Sequence, residues 1–278
     1  MKTVYYSVGC MLWLAACSSP AAQNTANPAT PKKDSVTITV DSAATSSVHD
    51  SAATSSVYEP ALFIDEDQTV PPYGLDKVKA LIRKIKYVED PEGGESSTEM
   101  LEETQYASLS MPEKFTYHMI HPESYSQNCD PLPIRENEDQ RIFGHLKDIF
   151  GEYDWSDRQL NFLRKGRDTV IQLMMPLIEK NNRIGGNFKE AIFEMNATEM
   201  IPYLIAFYNK EKKDHYILTL LMLLMKENKY PEFMNSASYK KLYAVEEGEY
   251  AAYLVYNKAN EDLIIQRATN FYDGLHAK

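Results

Sequence analysis

Beyond residue 73 apolar side chains recur at intervals of three and four, the spacing that gathers them on one face of a helix. Leu75, Val78, Leu81, Ile82, Ile85 and Val88 predict a helix over 75–88, ended by Asp90-Pro91-Glu92-Gly93-Gly94. A short helix is expected over 98–106. Ser110-Met111-Pro112-Glu113 then reads as a capping box with proline in the first turn, opening a helix to about 120. Ile142, Phe143, Leu146, Ile149 and Phe150 predict another, stopped at Gly151. Ser156 and Gln159 form a second capping box. It starts a helix that bends at Gly166, runs through Val170, Met174 and Ile178, and kinks at Pro176. After Gly185-Gly186, Asn187 is the expected cap of a helix to Met195.

The strongest pattern follows. Asn196 with Glu199 resembles a capping box, and Ile201, Leu204, Ile205 and Tyr208 put one apolar face on the helix it opens. Residues 210–214 are a polar turn with Asp214 as the next cap. Positions 217–225 are apolar except at Thr219, so this helix must be covered on most sides and sit at the centre of the core. Lys210, Lys212 and Lys213 in the turn read as exposed charges that contribute little to stability. A last helix is expected over 260–272, with Leu263, Ile264, Ala268 and Phe271 inward. No long alternating run argues for a sheet, and only 250–256 is ambiguous.

These patterns define an all-α domain over 73–278, with a candidate subdivision near 135. The helix around Ile201-Pro202-Tyr203-Leu204-Ile205, the charged turn and the Leu-rich helix resemble a HEAT-type helical pair over about 40 residues. No clean period repeats it, so an irregular helical bundle and a short HEAT-like stack are both compatible with the sequence.

Composition changes before residue 73. Residues 17–72 are rich in Ala, Ser, Thr and Pro and poor in large apolar side chains, which reads as a disordered tether. Within it Asp41-Ser-Ala-Ala-Thr-Ser-Ser-Val48 returns nine residues later as Asp50 to Val57, too short a repeat to build a solenoid. At its head, Lys2, a short apolar run and Leu14-Ala15-Ala16-Cys17 resemble a bacterial lipoprotein signal peptide and lipobox. That resemblance implies removal of residues 1–16 and lipidation of Cys17, since the run is shorter than the roughly 20 residues of a membrane span. Residues 18–23 lack the acidic cluster of surface-exported Bacteroidota lipoproteins, which implies an outer-membrane anchor facing the periplasm. Asp34-Ser35, Asp41-Ser42 and Asp50-Ser51 resemble the O-glycosylation sequon of the same bacteria, making Ser35, Ser42 and Ser51 candidate sites.

Charge and chemistry narrow the function. With 29 basic and 40 acidic residues the formal charge is -11, which disfavours nucleic acid. Phosphate-binding loops, nucleophile elbows and zinc-protease motifs are absent from the sequence, and no cofactor is expected. One constellation carries chemistry: His118 and His121 share a helix face, and a loop with Cys129 and Asp130 can return to complete a zinc site or an activated thiol. Against it, the histidines suit a helix C-terminus and Cys129 a small buried site, so no metal site is favoured. Tyr239, Tyr243, Tyr250, Tyr253 and Tyr256 supply either a binding surface or core packing.

The best-fitting expectation is an envelope lipoprotein presenting a helical module that binds a periplasmic or envelope protein without catalysis. An immunity-type lipoprotein that neutralises a periplasmic toxin is an alternative, as is a hydrolase or thiol enzyme using the Cys129 region. Replacing Cys17 by Ala is expected to move the protein from the membrane fraction to the soluble one. Unchanged partitioning into detergent would refute the lipid anchor.

Overall fold

The computed structural model describes residues 59–86, 88–89, 96–127, 135–243 and 251–277. Eleven helices dominate these residues, as the periodicity predicts, and six short strands accompany them. The first helix, α1 (Leu75–Ile82), is shorter than its apolar stripe. Lys84 and Ile85 donate to carbonyls only three residues back, which tightens and ends the helix. The chain then forms β1 (Val88–Glu89), antiparallel to β2 (Ser96–Thr98). That pairing also removes Thr98 from the helix expected over 98–106, leaving only α2 (Glu103–Ala107).

The Ser110 capping box holds: its backbone N–H donates to Glu113 Oε2 at 2.8 Å at the head of α3 (Met111–Ile120). Next come β3 (Ser124–Ser126), β4 (Arg141–Phe143) and β5 (Tyr153–Asp154). One antiparallel sheet has the order β1-β2-β3-β5, while β4 pairs separately with β6 (Tyr253–Val255), Ile142 opposite Leu254. The helix expected over 142–150 is therefore not formed. Backbone bonding of residues 141–144 goes to the distant tyrosine-rich segment, and Asp148 Oδ1 accepts from Phe150 N and Gly151 N at 3.1 and 2.8 Å to close a turn.

The remaining helices are α4 (Asp157–Lys165), α5 (Arg167–Asn181), α6 (Gly186–Glu194), α7 (Ile201–Glu211), α8 (His215–Glu227), α9 (Pro231–Met234), α10 (Ala237–Tyr243) and α11 (Lys258–His276). Gly166 breaks α4 from α5, and Pro176 lies inside α5. Two expected caps are reassigned. Gly185, not Asn187, precedes α6, because the Asn187 amide is committed to Thr69 N at 3.0 Å, Thr69 O at 2.9 Å and Met119 O at 3.0 Å. A side chain at Gly185 would put its Cβ 2.5 Å from Thr69 N. Asn196 is left-handed (φ 47°) and exchanges amide hydrogen bonds with Asn228 at 3.1 and 2.7 Å, so it caps no helix.

Every residue from 217 to 225 in α8 is buried, under a helix capped by Asp214 as predicted. Packed around α8 are α6, α7, α9, α11 and β4. The packing also reaches back before residue 73, into the segment assigned to the tether. Gln68 and Thr69 are buried, and Leu62, Phe63 and Val70 lie against the core. On α11 the inward residues are Glu261, Ile264, Ala268 and Phe271, whereas Leu263 is exposed.

Lys212 is not an indifferent surface charge. Left-handed at the end of α7 (φ 55°), it donates to Glu261, which is 1% exposed and also accepts from Tyr256 OH at 2.8 Å. Burial would push the Glu261 carboxyl up, but Lys212 and Tyr256 outweigh it and hold the carboxyl below its usual value. Chemical denaturation should show Lys212→Ala losing more stability than Lys213→Ala, whose weak partner Glu211 lies in solvent. Leu221→Ala, in the fully covered stretch of α8, is expected to cost about 2 to 5 kcal/mol by the same measurement. A Leu221→Ala protein as stable as the parent would contradict the central placement of α8.

Candidate functional site

A cleft of about 980 Å³ opens among the described residues. Its base is formed by α6 and α8, through Glu190, Phe193, Glu194, Leu223 and Lys226, and its wall by residues 145–155 with Leu160 of α4. The wall is shaped by the Asp148 turn and by Trp155, whose indole N–H donates to His118 O at 2.7 Å and whose ring meets Phe150 edge-on. Arg135 donates to the carbonyls of His145 and Leu146 at 3.0 and 2.8 Å, holding the start of that wall.

Charge is divided along the cleft. Glu190 is pushed up to about 7 by burial and then by the charges of Glu194, Asp154 and Asp148, with no hydrogen bond contributing. Asp154 is also raised, by burial and by Asp148. At the other end burial, Lys226 and Arg135 lower His145 and favour its neutral form. A cationic group entering beside Glu190 would restore its charge. The site thus combines an apolar wall with a carboxyl whose ionisation depends on what occupies the cleft.

A second polar cluster is closed to solvent. Glu123 accepts from Tyr117 OH at 2.6 Å and from Ser156 Oγ and Arg158 Nη2. Gln159 bridges His118 Nδ1 at 2.9 Å and His121 O at 2.8 Å, and Tyr106 OH lies 3.0 Å from His118 Nε2. Burial, followed by Arg158, Lys114 and His121, depresses His118 well below the ordinary histidine value. His121 places Nδ1 2.8 Å from Ala61 O and Nε2 2.7 Å from Glu99 O. Each ring nitrogen of the pair therefore faces a protein group. Among the described residues no three His, Cys, Asp or Glu side chains are placed to hold a metal ion.

Cys17, Ser35, Ser42, Ser51, Cys129, Asp130 and Tyr250 lie outside the described residues. Tyr239 and Tyr243 pack against Phe233 and one another, and Tyr256 stacks on His215 with centroids 3.8 Å apart, which is core packing. No described helix is long and apolar enough to cross a membrane. The cleft carboxylates were not distinguished in the sequence, where acidic residues are abundant. Their one local signal is Glu190 and Glu194, like charges four apart on one helix face. Comparison with protein-family models, curated proteins and solved structures gave no match.

The raised Glu190 carboxyl predicts a sign for pH dependence. Folded protein holds this proton up to about pH 7, whereas the unfolded chain releases it near 4.5, so stability falls as pH rises between the two values. Urea denaturation of Glu190→Gln is expected to show a gain over the parent at pH 8 and little difference at pH 4.5. Equal pH dependence in both proteins would remove Glu190 from this role.

Proposed function

We propose that this chain is a lipid-anchored envelope protein whose helical domain binds a protein partner through the Glu190 cleft, the contacting segment carrying lysine or arginine. Glu190 carries the reading: a half-buried carboxyl grouped with other carboxylates gains most from an incoming cation. The adjoining Phe150, Trp155, Leu160 and Phe193 offer apolar surface for the same segment. The anchor and its periplasmic orientation rest on Leu14-Ala15-Ala16-Cys17 and the absence of acidic residues over 18–23. A toxin with a basic surface would be one partner of this chemistry, as in an immunity-type lipoprotein.

In architecture the domain is an irregular helical bundle containing one HEAT-like pair, α7 and α8. Supporting this reading, α8 is packed by α11 and β4 as well as by its sequence neighbours, whereas a stack places successive pairs side by side.

A photo-cross-linker at Phe193, used in native envelopes, is expected to capture a protein through a basic peptide. Asp154→Lys, on edge strand β5, should lower the yield about tenfold, equivalent to 1.4 kcal/mol, while Lys165→Glu outside the cleft should leave it unchanged. Capture indifferent to Asp154→Lys would overturn the cleft as the binding site.

A second reading follows from the same carboxyl. A group titrating at about 7 inside a cleft is suited to general acid catalysis, so a hydrolase acting there would lose activity in Glu190→Gln while still binding its substrate.

A further inference from the structure

His121 closes α3 in an extended conformation (φ -150°) and is fully buried. Both its ring nitrogens point at backbone carbonyl oxygens, Ala61 O at 2.8 Å and Glu99 O at 2.7 Å. Carbonyls only accept, and a neutral imidazole has a single N–H. In either neutral tautomer one of these contacts would set a nitrogen lone pair against an oxygen lone pair with no water to intervene. Two protons on the ring satisfy both oxygens.

The surrounding charges agree. Glu99 and Glu123 are 1% and 0% exposed. Tyr153 OH and Ala61 N donate to the Glu99 carboxylate at 2.8 and 3.3 Å, and Glu123 is held by Tyr117, Ser156 and Arg158. From α4, Arg158 supplies one positive charge and Gln159 none. On α3, His118 is kept neutral by burial and Lys114 lies outward over the Tyr106 ring. Two buried carboxylates against one guanidinium leave one negative charge, which an imidazolium at His121 balances.

We infer that His121 is a buried imidazolium acting as a proton-operated fastener for residues 59–63. These residues are held by Ala61 O on His121, Ala61 N on Glu99 and Phe63 N on Ile120 O at 2.9 Å. The Phe63 ring packs edge-on against Phe150 and Tyr153, both of which line the cleft, at 5.3 and 5.4 Å. Loss of one His121 proton leaves a carbonyl unpaired, frees the segment and takes Phe63 from behind the cleft wall. The fastener operates whatever the cleft binds. Because the fastened state holds one proton more than the released state, release grows as pH rises. Above the ordinary histidine value of about 6.5 the opening constant should rise about tenfold per pH unit.

The test uses the full chain labelled with 15N at histidine. At about pH 7, where an ordinary imidazole is mostly neutral, the folded protein should show one buried ring with protons on both nitrogens, absent from the spectrum of His121→Gln. Hydrogen exchange at Phe63, corrected for the intrinsic base-catalysed rate, should reveal the about tenfold rise per pH unit above about 6.5. A single proton on the His121 ring at pH 7 overturns the inference. So does a Phe63 opening constant that is flat with pH. Both readouts are made on the parent protein, so a variant that fails to fold leaves the conclusion decidable.

Discussion

A helix that is apolar on every side has to be surrounded, and α8 imposes that demand on the rest of the domain. Residues 217–225 are all buried, and α6, α7, α9, α11 and β4 are the elements that cover them. The one polar side chain in the stretch obeys the same constraint, because Thr219 donates to Phe143 O at 2.8 Å and thereby ties α8 to β4. Covering α8 also sets the geometry of the cleft. Its base is where α6 and α8 lie side by side, and its wall is the turn-rich segment that leaves β4.

Carboxylates drawn wholly or partly out of solvent in this domain meet two fates. Glu123 and Glu261 are each supplied with donors from a distant element and from a nearby tyrosine, Arg158, Ser156 and Tyr117 for the first and Lys212 and Tyr256 for the second. Such satisfied groups specify how α3, α4, α7 and α11 meet, since removing any one donor would leave a charge in a low-dielectric interior. Glu190 is half-buried among other carboxylates, so loss of solvent and the charges of Glu194, Asp154 and Asp148 raise its affinity for a proton. That contrast separates structural polar clusters from the cleft, and it arises from neighbours supplied by separate parts of the chain.

Elements whose boundaries depend on adjacent residues were legible. Ser110 with Glu113 and Ser156 with Gln159 start α3 and α4, Gly166 separates α4 from α5, and Asp214 caps α8. Elements that depend on distant partners were not. Ile142 and Phe143 carry helical spacing, yet their backbone bonds go to Tyr253–Val255, a strand too short to show alternation. Asn187 and Asn196 have the right side chain for a cap, but Thr69, Met119 and Asn228 occupy their amides.

By itself the amino-acid order determined a mostly helical domain, a central apolar helix and several helix ends, because 3.6-residue periodicity and capping act within a few positions of chain. It also carried His118 and His121 as near neighbours in the chain, though His121 lies just past the end of α3 and not on it. Only the tertiary structure decided what those histidines face, that Lys212 reaches a buried carboxylate, and that Glu190 shares a cleft with Asp154 and Asp148. The reason is physical: burial and charge at a side chain are sums over everything folded around it, and those neighbours come from segments that no local pattern connects.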